Sequence, residues 1–132
     1  MRRKIFALAA IAAFIAGPAA GEGDPDKGEK QFAKCKACHQ IGENAKNRVG
    51  PVLNGIVDAP FGAVEGFKYS AALRSLAEQG KVWDLATLDA YLKNPKAVVP
   101  KGSMAFAGVK DDAQRADLIA YLAQVGPDGK PK

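Results

Sequence analysis

The side chains that most often carry metal and redox chemistry are scarce in this chain. Its 132 residues include one histidine, two cysteines, two methionines and one tryptophan. A structural zinc site wants four ligands, and the cysteines and the histidine together supply three. Long apolar runs are missing as well. A membrane-spanning helix needs about 20 consecutive apolar residues, and the longest candidate, Ile5 to Ala20, is shorter. No dense basic run is interleaved with aromatics, which argues against a nucleic-acid partner. Internal repeats, low-complexity tracts and alternating strand patterns are also absent. What remains has ordinary composition, 48% hydrophobic, so neither a disordered chain nor a multi-span membrane protein fits. The length suits one domain.

The scarce residues are concentrated. Both cysteines and the histidine fall in one pentapeptide, Cys35-Lys36-Ala37-Cys38-His39. A C-x-x-C pair followed directly by histidine is the attachment signal of c-type haem. Each thiol adds across one haem vinyl group, and two intervening residues let both reach from one helical turn. His39 then falls under the iron as an axial ligand. A thioredoxin-like pair would need a βαβ context, which the flanks lack. A disulfide between residues three apart would be strained and would leave His39 without a purpose.

Residues 1–21 have the features of a cleavable secretory signal. Arg2, Arg3 and Lys4 form a basic start, Ile5 to Ala16 is apolar, and Gly17 to Gly21 is small and turn-forming. A cut between Ala19 and Glu22 would leave a single domain over residues 22–132; a retained signal anchor is the alternative. Removal takes three of the 19 basic residues, leaving 16 against 14 acidic ones, a net charge of +2. Electrostatic recognition must then come from local clusters of charge. Export to the periplasm also agrees with covalent haem attachment, which takes place outside the cytoplasm.

Along the mature chain the signals are helical. Asp24 before Pro25 is a helix start, and the helix is expected to run to about Cys35. Gly28 and Phe32 share one of its faces, where the glycine permits close approach of a second helix. Gln40 to Arg48 is polar and, with Gly50-Pro51, forms a loop over one side of the haem. Pro51 offers a carbonyl of the kind that accepts from a ligating histidine's other ring N–H. Gly55 to Gly66 is loop. Ser70 caps a helix from Ala71 to about Gln79, with Gly80 as its stop. Asp84 or Thr87 caps the next, which carries Leu85, Leu88, Tyr91 and Leu92 on its apolar face and ends before Pro95. Val98 to Ala107 reads as an extended strap. Asp111 and Asp112 begin the last helix, whose buried stripe is Leu118, Ile119, Tyr121, Leu122 and Val125. Gly126-Pro127 end it, and Asp128 to Lys132 are expected to fray. The fold class is therefore all-α, several short helices and long loops wrapped around one covalent haem that substitutes for protein core.

With His39 used on one face of the iron, the second axial position falls to methionine, cysteine, lysine or water. Met104 is the one methionine of the mature chain, and it lies in the strap rather than on a helical stripe. His39/Met104 ligation would leave no open site for oxygen or substrate and would favour electron transfer over catalysis. If Met104 does not ligate, a haem peroxidase or gas-binding protein is the alternative.

The motifs Gly28-x3-Phe32, Cys35-Lys-Ala-Cys-His39, Gly50-Pro51, Gly66-Phe67-Lys68-Tyr69, Trp83, Tyr91-Leu92-Lys93-Asn94-Pro95-Lys96, Pro100-x3-Met104-x-Phe106-Ala107-Gly108 and Arg115 to Leu122 occur together in this order. From about Gly23 to Val125 the chain resembles class I cytochromes c, most closely the bacterial cytochrome c2 type. The resemblance implies that Cys35 and Cys38 hold the haem and that His39 and Met104 ligate iron. It further implies that the Pro51 carbonyl accepts from the His39 ring, that Tyr69 and Trp83 hydrogen-bond a buried propionate, and that Tyr91 lies near the Met104 sulfur. Gly28 and Phe32 would cross the last helix at Leu118 and Tyr121, and Phe106 would flank the exposed haem edge. The chain departs from the family pattern at Asp58-Ala59, where many relatives carry Gly-Arg, and at Gly102, where mitochondrial members place threonine.

By the same resemblance the protein is a soluble, monomeric periplasmic electron carrier and not an enzyme. It would carry electrons from a cytochrome bc1 complex to a terminal oxidase or a photosynthetic reaction centre. Lys30, Lys34, Lys36, Arg48, Lys96, Lys101 and Lys110 would ring the haem edge and steer the acidic docking surfaces of such complexes.

Overall fold

The computed structural model describes residues 22–132 together with Ala10. The signal read in residues 1–21 lies, that alanine apart, outside the described residues. The described residues hold five helices in chain order: α1 (Pro25–Phe32), α2 (Ala71–Glu78), α3 (Leu85–Lys93), α4 (Pro95–Val98) and α5 (Asp112–Ala123). Among the described residues β structure is limited to two isolated bridges, Pro60 with Val82 and Val125 with Pro131. The all-α class is as expected.

Local chemistry sets the helix starts. The Asp24 carboxylate accepts from the Asp26 and Lys27 amides, Ser70 from Leu73, Asp84 from Thr87 and Asp111 from Gln114, each occupying N–H groups that a helix leaves unpaired. Asp84, not Thr87, is thus the cap of α3.

Three expectations need correction. α1 stops at Phe32 and not near Cys35, because the chain tightens into turns in which the amides of Ala33, Lys34 and Cys35 bond the carbonyls three residues back. The stretch after α3 is not wholly extended. Pro95 stops α3 and, having no N–H to satisfy, opens the one-turn α4; the strap begins only at Val99 and continues past Ala107 to Lys110. Nor does the C-terminal segment fray. The Gly126 amide donates to the Lys130 carbonyl at 2.8 Å and the Lys132 amide to the Gln124 carbonyl at 2.8 Å, so the segment folds back on the end of α5.

α1 and α5 cross at the glycine. A Cβ on Gly28 would collide with the Asp117 carbonyl oxygen of α5, so only glycine allows this approach. Beside it Phe32 and Tyr121 pack with ring centroids 5.6 Å apart, and Phe32 and Leu118 are fully buried. The core continues through Leu88 and Leu92 of α3, Val99 and Val109 of the strap, and Phe61 stacked on Trp83. α2 contributes no fully buried residue; its Leu73 and Leu76 cover the core from outside.

One charged side chain lies within this core. Arg115 is 4% exposed. It donates to Asp89 of α3 at 2.6 Å, to Asp112 at 2.7 Å and to the Val109 carbonyl at 3.0 Å, and so joins α3, α5 and the strap. Its hydrogen bond and charge hold the Asp112 carboxyl below the usual carboxylate range. Replacing Arg115 by methionine should cost about 1–3 kcal/mol, mainly by leaving the buried Val109 carbonyl without its donor. A depressed carboxylate pKa contributes stability above the ordinary carboxylate range, and loses it as pH falls through the depressed value. The gap between parent and Arg115→Met in denaturant titrations should therefore be widest near neutral pH and narrow in acid.

Candidate functional site

Between the α1–α5 pair and the α3–strap unit lies a cavity of about 780 Å³. Its apolar walls come from Leu53, Ile56, Leu88, Leu92, Val99 and Leu118 among others. The same cavity brings together every site residue expected from the sequence: Cys35, Cys38 and His39 on one side, Met104 on the strap, and Pro51, Tyr69, Trp83 and Tyr91 around them.

The turns after α1 place the cysteine–histidine segment. The His39 and Cys38 amides both donate to the Cys35 carbonyl, at 2.8 and 3.1 Å, which winds the three residues into one turn. Burial pushes the Cys35 thiol up, with the neighbouring Lys34 charge pulling back. His39 is buried, and its Nδ1 lies 2.7 Å from the Pro51 carbonyl oxygen. That oxygen only accepts, so Nδ1 carries the hydrogen and Nε2 keeps a lone pair. Burial also pushes the imidazole below the ordinary histidine range, against the Pro51 bond, which favours the neutral ring a metal requires. Gly50 completes the fit, because a Cβ there would strike the imidazole ring.

On the other side the Tyr91 hydroxyl donates to the Met104 sulfur at 3.2 Å. Burial raises the Tyr91 pKa and keeps it a donor. Tyr69 accepts at its oxygen from the Val64 amide at 3.0 Å and burial keeps it protonated, so its O–H hydrogen remains to be donated. Trp83 is 6% exposed and stacked on Phe61 at 3.8 Å.

A neutral imidazole and a thioether lining one apolar cavity suit the iron of a haem. Among the described residues there is no group of three or more His, Cys, Asp and Glu that could hold a bare metal ion. The residues present fit a haem: two thiols in one turn, an imidazole, a thioether and a largely apolar cavity of about 780 Å³.

The Cytochrome c family model matches residues 25–126. The chain belongs to the cytochrome c family. It is 49% identical over 127 residues to cytochrome c-554 of Methylosinus trichosporium, covering 95% of this chain and 94% of the relative. Against cytochrome c2 of Rhodomicrobium vannielii it is 54% identical over 101 residues, 76% of this chain and 78% of that one. Among solved structures, cytochrome c2 from Rhodospirillum centenum superposes with a TM-score of 0.75 at 39% identity, covering 80% of this chain and all of that one. As a cytochrome c it binds one haem c covalently and is an electron-transfer protein.

The seven cations expected around the haem edge lie at the surface of this cytochrome. Of them only Lys34 lines the cavity. Lys36 faces a separate depression of about 590 Å³ beside Phe32 and Tyr121. Lys110 is held back, with its Nζ donating to the Lys93 carbonyl at 2.7 Å. Sequence reasoning missed two supports of the site. Asn54 exchanges hydrogen bonds with Gly42, 2.8 Å in each direction, and Asn47 accepts from the Val52 amide and donates to the Glu65 carbonyl. Asparagine in a Gly/Pro-rich loop is the only signal that could have marked either.

The contact between Gly50 and the imidazole gives a direct test. Gly50→Ala should cost about 1–3 kcal/mol through overpacking. In denaturant titrations of the haem-loaded protein the loss should appear together with a shift of the His39 ring resonances.

Proposed function

We propose that Cys35 and Cys38 hold the haem, that His39 and Met104 are its axial ligands, and that the protein ferries single electrons between membrane complexes in the periplasm. The family resemblance points to a cytochrome bc1 complex as donor and a terminal oxidase or photosynthetic reaction centre as acceptor. The observation that carries this reading is the Tyr91–Met104 contact. A sulfur whose direction is fixed by a hydroxyl, lining the same cavity as a tautomer-fixed imidazole, supports both as ligands; with both bound, no open position would remain for a substrate. Haem, when bound, supplies a one-electron couple at its iron.

The chain's own residues have four tasks. His39 presents Nε2, with Pro51 increasing its basicity by accepting from Nδ1. Met104 presents a thioether, a ligand that raises the reduction potential relative to a second histidine, and Tyr91 fixes its direction. The apolar walls exclude water. Tyr69 supplies one O–H donor to a propionate, with Trp83 beside it. Surface lysines such as Lys34 and Lys96 would steer an acidic partner into a weak, short-lived complex. The basic and apolar start of the chain supports export.

The ligation is tested by the absorption spectrum. The oxidised protein should show the weak far-red band of iron–methionine sulfur bonding, and the reduced protein should resist carbon monoxide at neutral pH; Met104→Ala should lose the band and bind the gas. Carbon monoxide binding by the parent would instead support a gas-binding or peroxidase role. The docking face is tested by Lys34→Gln and Lys96→Gln. Both should slow association with an acidic redox partner at low ionic strength and flatten its salt dependence.

A further inference from the structure

The loop from His39 to Asn54 is closed by rungs. Gly50 donates to the Cys38 carbonyl at 2.9 Å, His39 Nδ1 to Pro51 at 2.7 Å and Leu53 to the Gln40 carbonyl at 3.1 Å. The last rung is the reciprocal Gly42–Asn54 pair. The two sides of the loop thus run alongside each other, with the His39–Pro51 bond as one rung among four. The first end is anchored by the turn after α1. The far end, at Gly42 and Asn54, needs another anchor.

The segment 126–132 provides it. The Val125 carbonyl accepts from the Gly55 amide at 3.2 Å. Pro127 packs on Gly55 so closely that a Cβ there would lie 2.9 Å from the proline Cα. On the other side Gly129, at φ +80°, lies against Gly42, and a Cβ on it would collide with the Gly42 carbonyl oxygen. The segment is closed on itself by the Gly126–Lys130 and Lys132–Gln124 bonds, so it bridges both sides of the loop as a unit. The Lys130–Glu43 ion pair is long, 3.8 Å, and exposed, and adds little.

We propose that segment 126–132 is a clasp which, by seating on the Gly42–Asn54 junction, holds the His39–Pro51 hydrogen bond closed and so positions the imidazole. This rests on the reading of His39 as an iron ligand. Its residues are positioning residues, acting through the loop and not on the iron. Without the clasp the ladder opens from its far end, and the His39 Nδ1–H is the buried hydrogen that this opening exposes.

The test is hydrogen exchange of the His39 Nδ1–H, followed by NMR in the reduced, haem-loaded protein. In the intact chain the His39 ring protons should carry the large shifts of an iron-bound imidazole; their absence would remove the ligation reading, and this proposal with it, before the segment is altered. Ending the chain at Val125 should then speed Nδ1–H exchange about tenfold or more, while the slowest α5 amides, which report global opening, change by less than about twofold. Gly129→Val keeps every other residue but disrupts the seat, and should act alike if the shortened chain does not mature. Lys130→Ala should change nothing. The effects of Asn54→Ala and of ending the chain at Val125 should fall short of additive, since both act on one junction. Nδ1–H and α5 exchange rising in equal proportion, an unchanged Nδ1–H, or full additivity would overturn the proposal.

Discussion

A buried imidazole must account for both of its nitrogens, and much of this structure follows from that requirement. The Pro51 carbonyl, 2.7 Å from Nδ1, fixes where the hydrogen sits and thereby which nitrogen faces the cavity. For Pro51 to reach that point the chain must leave His39, turn and return within a dozen residues. Gly50 must lack a side chain so that the ring has room, and Asn47 and Asn54 must satisfy loop amides and carbonyls that no helix or sheet can take up.

The same economy explains the modest helix content. A chain that encloses a cavity of about 780 Å³ cannot pack its helices in layers. It places short helices around the space and lets loops close the gaps. α2 accordingly buries no residue completely. The densest protein–protein packing is confined to the α1–α5 crossing, where glycine lets two backbones meet. A large apolar group supplies the interior that side chains do not.

What was legible from the sequence was local. The cysteine–histidine pentapeptide, the helix caps and most of the α5 stripe depend on residues a few positions apart; of that stripe Leu118, Ile119 and Leu122 are buried, Tyr121 is half-buried, and Val125 lies beyond the end of the helix at Ala123. What escaped depended on distant partners. The end of α1 at Phe32 is set by turn bonds and not by any change in helix propensity. α4 was hidden because Pro95 was read only as a stop. The segment after Gly126 is short, polar and glycine-containing, which suggests fraying; its order comes from Gly42 and Gly55, more than 70 residues earlier in the chain. Arg115 went unnoticed as a buried tie because its partners are an aspartate in another helix and a strap carbonyl. The eight expected residues line one cavity; for Tyr69, Trp83 and Tyr91 only the family motifs set them apart. Without those motifs an aromatic such as Tyr69 is indistinguishable from core.

Tyr91 belongs to α3, and the strap that bears Met104 is pinned to the same helix, where the Val109 amide donates to the Leu92 carbonyl at 2.7 Å and Gly108 packs on the Lys93 carbonyl. Donor and sulfur therefore ride on one body, while the histidine side rides on another built from α1, α5 and their loop. Arg115 of α5 ties the two together through its hydrogen bond to Asp89 of α3. Any shift of one wall against the other would carry the hydroxyl and the sulfur together, so the tyrosine–methionine alignment does not depend on the spacing of the walls.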